Sequence, residues 1–337
     1  MKSIHLTIIA TLVASTLILL WHQSGLQEAK RPAELIPVRI ADTGTSPPGL
    51  LLTIAKQRGF FEAEGLRAVI TTEFGHGKAN IAAVLRGDAD FATASEVPVM
   101  RAGLNGLDLC VIATIGKGDR HMAVVARRDH GIATLADLAN KTLGVTVGSN
   151  AEYFFDRLLP ANAKLSNPVR KVHTLPKDMA KTLARGDVDA VVSWFPAWKH
   201  AQDELGDNAL VFHGSGVYSV YFNLISSVEL VKRNPEMVKR MLRAFIRAER
   251  YVADHQQQAK ATFMTQFHLN AAVTDEVFAN YTLRIWLGQE FLIALESQAK
   301  WAMDSGITKQ TQMPNYLNLV HLNALEQVSP EAVSIIH

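Results

Sequence analysis

Several short stretches carry side chains able to hold a small molecule. Gly148-Ser149-Asn150 follows an apolar run and opens a helical one, so free amides and the positive end of that helix face whatever lies beyond. Such a geometry receives sulfonate, carboxylate or phosphate oxygens; Ser149 or Asn150 acting as a plain helix cap is the other reading. Gly75-His76-Gly77, after Phe74, lies before a second helix. It lacks a phosphate loop's glycine spacing, and Ala79 rather than Ser or Thr follows Lys78, so His76 reads as a cleft-lining or solvent-facing residue. Glu96, after Ser95 at the end of an apolar run, can pair with an amine or amidine, or serve as a first-turn acid facing the helix dipole. Trp194 and Phe195 can enclose an apolar or aromatic ligand, although Trp194 can equally be packing. Thr43 and Thr45, just past the first apolar run, are further candidates.

None of these makes a catalytic constellation. The chain has no His-Glu-x-x-His, no Gly-x-Ser-x-Gly, no complete Walker loop and no dinucleotide Gly-x-Gly-x-x-Gly. Its 12 histidines are scattered without metal spacing. The one cysteine, Cys110, rules out an intramolecular disulfide and a cysteine-built cluster. No catalytic residue, metal or cofactor is therefore expected.

The elements that must position these residues alternate. Short apolar runs at 38–41, 68–72, 91–94 and 109–115 read as strands, separated by helical stretches at 49–58, 78–85 and 97–104. After Gly116 and Gly118 the pattern restarts, with strands at 121–126, 143–147, 169–174, 190–193, 210–212 and 220–225 and helices at 151–158, 178–184 and 195–205. Thr134-Leu-Ala-Asp137 resembles a capping box. Beyond Ser227 the chain reads helical, Pro235 opening a long amphipathic stretch over 236–255. Such alternation predicts an α/β fold of parallel strands crossed over by helices.

An internal echo divides this pattern. Leu85-Arg-Gly-Asp-Ala-Asp90 recurs as Ala184-Arg-Gly-Asp-Val-Asp189, each copy ending a helix at Gly and entering an apolar strand. Each strand closes near a proline, at Ser95-Glu96-Val97-Pro98 and at Ser193-Trp194-Phe195-Pro196. Two lobes built alike would direct these strand ends at a ligand between them.

The 337 residues suffice for two domains with a real core, and a 48% apolar, 20% charged composition is that of a globular body. A formal charge of +2 speaks against a dedicated nucleic-acid binder. Residues 6–21 are uncharged and apolar, preceded by Lys2 and His5. They read as a signal peptide or an uncleaved membrane anchor within residues 1–30, since no cut site has well-placed small residues. Either reading sends the body across the membrane.

Val38-Arg-Ile-Ala-Asp42 leading into Lys56-Gln-Arg-Gly-Phe-Phe61-Glu-Ala-Glu-Gly65 resembles the opening of solute-binding proteins of ABC importers for alkanesulfonates, taurine, nitrate and thiamine-pyrimidine precursors. So do Phe74-Gly-His-Gly77, Ala89 through Pro98, Leu135-Ala-Asp-Leu138 before Lys141, Met313-Pro-Asn-Tyr316 and Val328-Ser-Pro330. The resemblance implies a two-lobed type II periplasmic-binding-protein fold with a cleft between lobes. One lobe would be residues 37–116 plus 218–337, the other 117–217, placing Tyr218 near a crossing. It further implies a non-enzymatic, extracytoplasmic monomer that passes a small organic solute, anionic or heterocyclic, to a permease and its ATPase. Relatives often carry an acid where Phe195 stands, which favours a more apolar solute here. The alternatives are an enzyme on the same scaffold, as in thiamine-pyrimidine synthases, and an anchored ligand sensor.

Overall fold

The computed structural model describes residues 34–44, 46–162, 167–214 and 216–336. Eleven strands form among them: β1 (Ile36–Ala41), β2 (Leu66–Thr71), β3 (Phe91–Ser95), β4 (Leu109–Gly118), β5 (Met122–Arg127), β6 (Thr142–Val145), β7 (Arg170–His173), β8 (Ala190–Trp194), β9 (Ala209–His213), β10 (Val220–Ser227) and β11 (Tyr281–Thr282). They make two sheets, ordered β11-β4-β10-β3-β1-β2 and β7-β6-β8-β5-β9. The chain leaves the first sheet after Gly118 and returns to it at Val220. Both sheets lie within one compact unit, Pro37–His337. The expected signal peptide or anchor lies outside the described residues; among those described, no helix is long and apolar enough to cross a membrane.

The all-parallel expectation holds only in part. β1 pairs with β3, and β6 with β7 and β8, in parallel, as strand–helix–strand units require. β10 is antiparallel to β3 and β4, and β5 is antiparallel to β8 and β9. These are the strands through which the chain changes sheets, so they enter from the opposite end without a crossover helix. β4 and β10 read as continuous apolar runs because both faces are covered; even Thr114 and Asn223 are buried, Thr114 Oγ1 donating to Asn223 Oδ1 at 3.0 Å. The region past Ser227 is mostly helical, with β11 and bridges at Trp286, Val320 and Val333 as exceptions.

The repeated hexapeptide does the same job twice. The first copy ends its helix at Gly87, the second at Arg185 with Gly186 next. In each, the last aspartate folds onto the neighbouring parallel strand. Asp90 accepts the Arg39 N–H at 2.8 Å, and Asp189 accepts the Thr142 N–H at 2.7 Å. Their own N–H groups return to the carbonyls of the same two residues, both at 2.9 Å. These reciprocal pairs fix the register, and with it the point where β3 and β8 end. By that register Glu96 and Phe195 hold equivalent places.

Pro235 opens the predicted long helix, Pro235–Asp254, whose Val238, Met241, Leu242, Phe245 and Val252 are buried at helical spacing. Phe245 meets Phe61 edge-on, centroids 6.2 Å apart; burying each such ring contributes about 1.5–3 kcal/mol. The capping box at Thr134 and Asp137 is present.

Gly103, in the helix Glu96–Leu104, lets the C-terminal segment close on it. A Cβ there would lie 2.6 Å from the Tyr316 ring and 2.9 Å from Leu319. Tyr316 is buried and donates to the Met100 carbonyl at 3.0 Å, so the ring has little room to yield. Ala gains about 1 kcal/mol of helix propensity over Gly, whereas overpacking costs about 1–3 kcal/mol. Gly103→Ala is therefore expected to lower the melting temperature; a rise would show that the contact relaxes freely.

Candidate functional site

The site is built where β3 ends. Glu96 opens the next helix with its carboxylate fully buried, and three donors of the chain reach it. The Tyr218 hydroxyl and Gln298 Nε2 (3.1 Å) donate to Oε1, and the Tyr221 N–H (2.9 Å) donates to Oε2. Burial raises the Glu96 carboxyl to about 7, its hydrogen bonds opposing but not cancelling that rise. Burial likewise holds the Tyr218 hydroxyl well above its ordinary range, Glu96 adding to the effect.

Tyr218 comes from the segment returning to the first sheet. Its hydroxyl also lies beside Asn150, which begins the helix Asn150–Asn162 attached to the second sheet. Its ring lies 5.5 Å from that of Tyr153 and 6.2 Å from that of Phe154. Thus Glu96 from one sheet, Asn150 from the other and Tyr218 from the connection meet at one point. Three further contacts join the same elements: Tyr153 Oη to Ser297 Oγ at 3.1 Å, Trp301 Nε1 donating to Asp156 at 3.0 Å, and Arg101 Nη1 donating to the Gly148 carbonyl at 2.9 Å.

At Gly148 the backbone turns through φ +75°, and a Cβ there would stand 2.5 Å from Arg101 Nη1. The amides around this helix start are partly taken. The Gly148 N–H donates to Glu152 Oε2 at 2.6 Å and the Ala151 N–H to Ser149 Oγ at 3.2 Å; Lys171 in turn holds Glu152 at 2.9 Å. Ser149 therefore caps the helix, and an acid of the chain's own occupies part of the expected anion position.

A second polar knot lies three residues earlier on β3. Thr93 Oγ1 donates to the buried Asp42 at 2.5 Å, Asp42 also accepts the Gly44 N–H at 2.9 Å, and Asn80 Nδ2 donates to the Thr93 carbonyl at 3.0 Å. Burial raises the Asp42 carboxyl, against these hydrogen bonds. Thr43 sits at the edge of the knot, half-buried, with its Oγ1 buried and unpartnered among the described residues; Thr45 lies outside them.

The remaining candidates do not bond the Glu96 carboxylate. His76 is exposed and caps the helix Gly77–Arg86, its Nδ1 accepting the Ala79 N–H at 3.3 Å. Gly75 is exposed, Gly77 is half-buried against Ala94, and Ser95 precedes Glu96 without a side-chain cap bond. Phe195 is buried and packs edge-on against Trp198 at 6.3 Å, its N–H donating to the His121 carbonyl at 2.9 Å. The helix expected from Phe195 begins instead at Ala197, because Phe195 and Pro196 turn the chain after β8. Trp194, half-buried opposite Met122, packs partly against the core. Trp194→Ala is expected to weaken solute binding with little change in melting temperature; a much lower melting temperature with normal binding would make it a packing residue.

Sequence reasoning missed Gln298, Tyr221, Tyr153, Trp301, Arg101, Asp42, Thr93 and Asn80. A carboxylate ending the apolar run of β1 was a usable signal for Asp42. Gln298 is 202 residues from its partner, and no local pattern marks it.

Two α/β sheets joined by two crossings, with helix starts meeting at the junction, define the fold of the periplasmic binding proteins. The chain belongs to the NMT1/THI5-like family, whose family model matches residues 49–259. A Brucella abortus chain named as a binding protein is 27% identical over 237 residues, covering 67% of this chain and 70% of that one. Among solved structures, the alkanesulfonate-binding protein SsuA of Xanthomonas axonopodis pv. citri, bound to MOPS, superposes with a TM-score of 0.70 at 19% identity, over 86% of this chain and 99% of that one. The periplasmic aliphatic sulphonate-binding protein SsuA of Escherichia coli gives 0.70 at 17%, over 86% and 98%. A mutant of the desulfurization enzyme DSZB, in complex with biphenyl-2-sulfinic acid, gives 0.59 at 18%, over 86% and 99%, so the fold is also one on which an enzyme is built.

Proposed function

We propose that this chain is the extracytoplasmic solute-binding component of an ABC importer. It captures a small organic solute between residues 37–116 with 218–337 on one side and residues 117–217 on the other. It then delivers that solute to a permease, breaking no bond itself. The observation that carries this reading is the convergence of Glu96, Tyr218 and the start of the helix Asn150–Asn162, from the two sheets and their connection, through the Tyr218–Glu96 hydrogen bond and the Tyr153–Tyr218 ring contact. A solute touching all three favours the state in which the two sides are closed, and closure presents one surface to a partner. In this reading the apolar residues 6–21 carry the body outward and, if uncleaved, tether it to the inner membrane.

A thermal-shift screen of organic amines, amides, heterocycles, carboxylates and sulfonates tests the binding role. At least one class should raise the melting temperature in proportion to the logarithm of its concentration. A chain indifferent to all classes would contradict it. Fractionation of cells making the full-length chain tests location; an intact N-terminus in the cytoplasm would overturn the export reading.

A further inference from the structure

With Tyr218 in place, Glu96 has no room for a solute. The carboxylate is 0% exposed and all its partners are the chain's own donors. Two of these are fixed by regular structure, the Tyr221 N–H in β10 and the Gln298 amide in the helix Gln289–Asp304. Tyr218 alone comes from a connecting segment, two residues after Gly216 at φ +78°. Beside it, Gln298 is only 1% exposed, yet its Oε1 finds no partner among the described residues. A buried acceptor without a donor is costly, and its place next to a carboxylate makes an acceptor pair awaiting a donor.

We propose that the Tyr218 hydroxyl holds the solute's place: the solute displaces it from Glu96 and presents its own paired donors to the Glu96 carboxylate and Gln298 Oε1. This rests on the solute-binding reading above and narrows it. The head group is an amidinium, guanidinium, ammonium or amide, with N–H groups facing inward. Above pH about 7, where Glu96 is ionised, a sulfonate or carboxylate head would place oxygen lone pairs against acceptors with no proton between them. The aromatic wall of Tyr153, Phe154 and Tyr218 suits a planar body behind such a head. Arg101, on the helix that Glu96 opens, is already turned to the Gly148 carbonyl, and Glu152 faces the same turn.

Calorimetry at pH about 8, where Glu96 is ionised, with two probes of one shape, benzamidinium and benzenesulfonate, tests this on the whole chain and on Tyr218→Phe and Glu96→Gln. Benzamidinium should bind the wild type, bind Tyr218→Phe about tenfold tighter because the competing hydroxyl is gone, and bind Glu96→Gln about 100-fold more weakly. Benzenesulfonate should bind none of them. Benzenesulfonate binding that survives Glu96→Gln would overturn the donor assignment while leaving a solute-binding protein. Weaker benzamidinium binding by Tyr218→Phe would make the hydroxyl a direct contact and overturn the displacement. Binding of neither probe also overturns the proposal, and the solute-binding reading falls with it only if the thermal-shift screen is blank too. Should Glu96→Gln fail to fold, wild type and Tyr218→Phe with the two probes still decide.

Discussion

Glu96→Gln is expected to gain on the wild type by about 3 kcal/mol of folding stability as the pH rises from about 4.5 to about 8. The carboxyl stands at about 7 in the fold, raised by burial from an ordinary 4.5. The folded chain thus holds that proton more tightly than the unfolded one. Its contribution is complete below about 4.5, falls as pH rises through the interval to about 7, and is gone above it. Gln cannot ionise and keeps the size of the protonated acid; rotation of the Tyr218 hydroxyl and a turn of the Gln298 amide can satisfy its new N–H₂. His121 works in the other direction. Burial lowers it to about 3 from 6.5, so its contribution is present above about 6.5 and lost as pH falls toward 3. Comparing wild type with Glu96→Gln at each pH cancels the His121 effect. A stability difference flat across the range would mean that Glu96 ionises as an exposed acid does.

Tyr153→Ala is expected to cost about 3–5 kcal/mol and to loosen the junction between the sheets. Tyr153 is 6% exposed, and its ring stands edge-on to Tyr218 at 5.5 Å and to Trp301 at 5.2 Å. It joins the helix Asn150–Asn162 of the second sheet to the connection and to the helix Gln289–Asp304. Losing it removes two ring pairs, each contributing about 0.5–1.5 kcal/mol beyond burial. Tyr153→Phe loses only the bond to Ser297, about 1 kcal/mol. Small-angle scattering should report a larger radius of gyration for the Ala variant and an unchanged one for the Phe variant. Equal radii and melting temperatures for all three proteins would show that these rings do not hold the two sides together.

Much of this architecture was legible because local physics sets it. Short apolar runs such as 109–115 read as strands, and the Arg-Gly-Asp echoes marked two helix ends of the same build. Strand direction was not legible. β5 and β10 have the composition of parallel core strands, and only the path of the chain between sheets turns them around. Within the site, Glu96 could be picked out as an acid at the end of an apolar strand. Its surroundings could not, since Tyr218 and Gln298 reach it from 122 and 202 residues away. His76 shows the reverse: a residue conspicuous among glycines that stands exposed and caps its own helix.

Native mass spectrometry of the chain, purified without denaturation from cells grown in rich medium, bears most directly on the central claim. A protein that traps a solute between two closed sides should carry one small molecule per chain, released on unfolding and retained less by Glu96→Gln. A bare chain mass under gentle conditions, unchanged by any fraction of the growth medium added back, would contradict it.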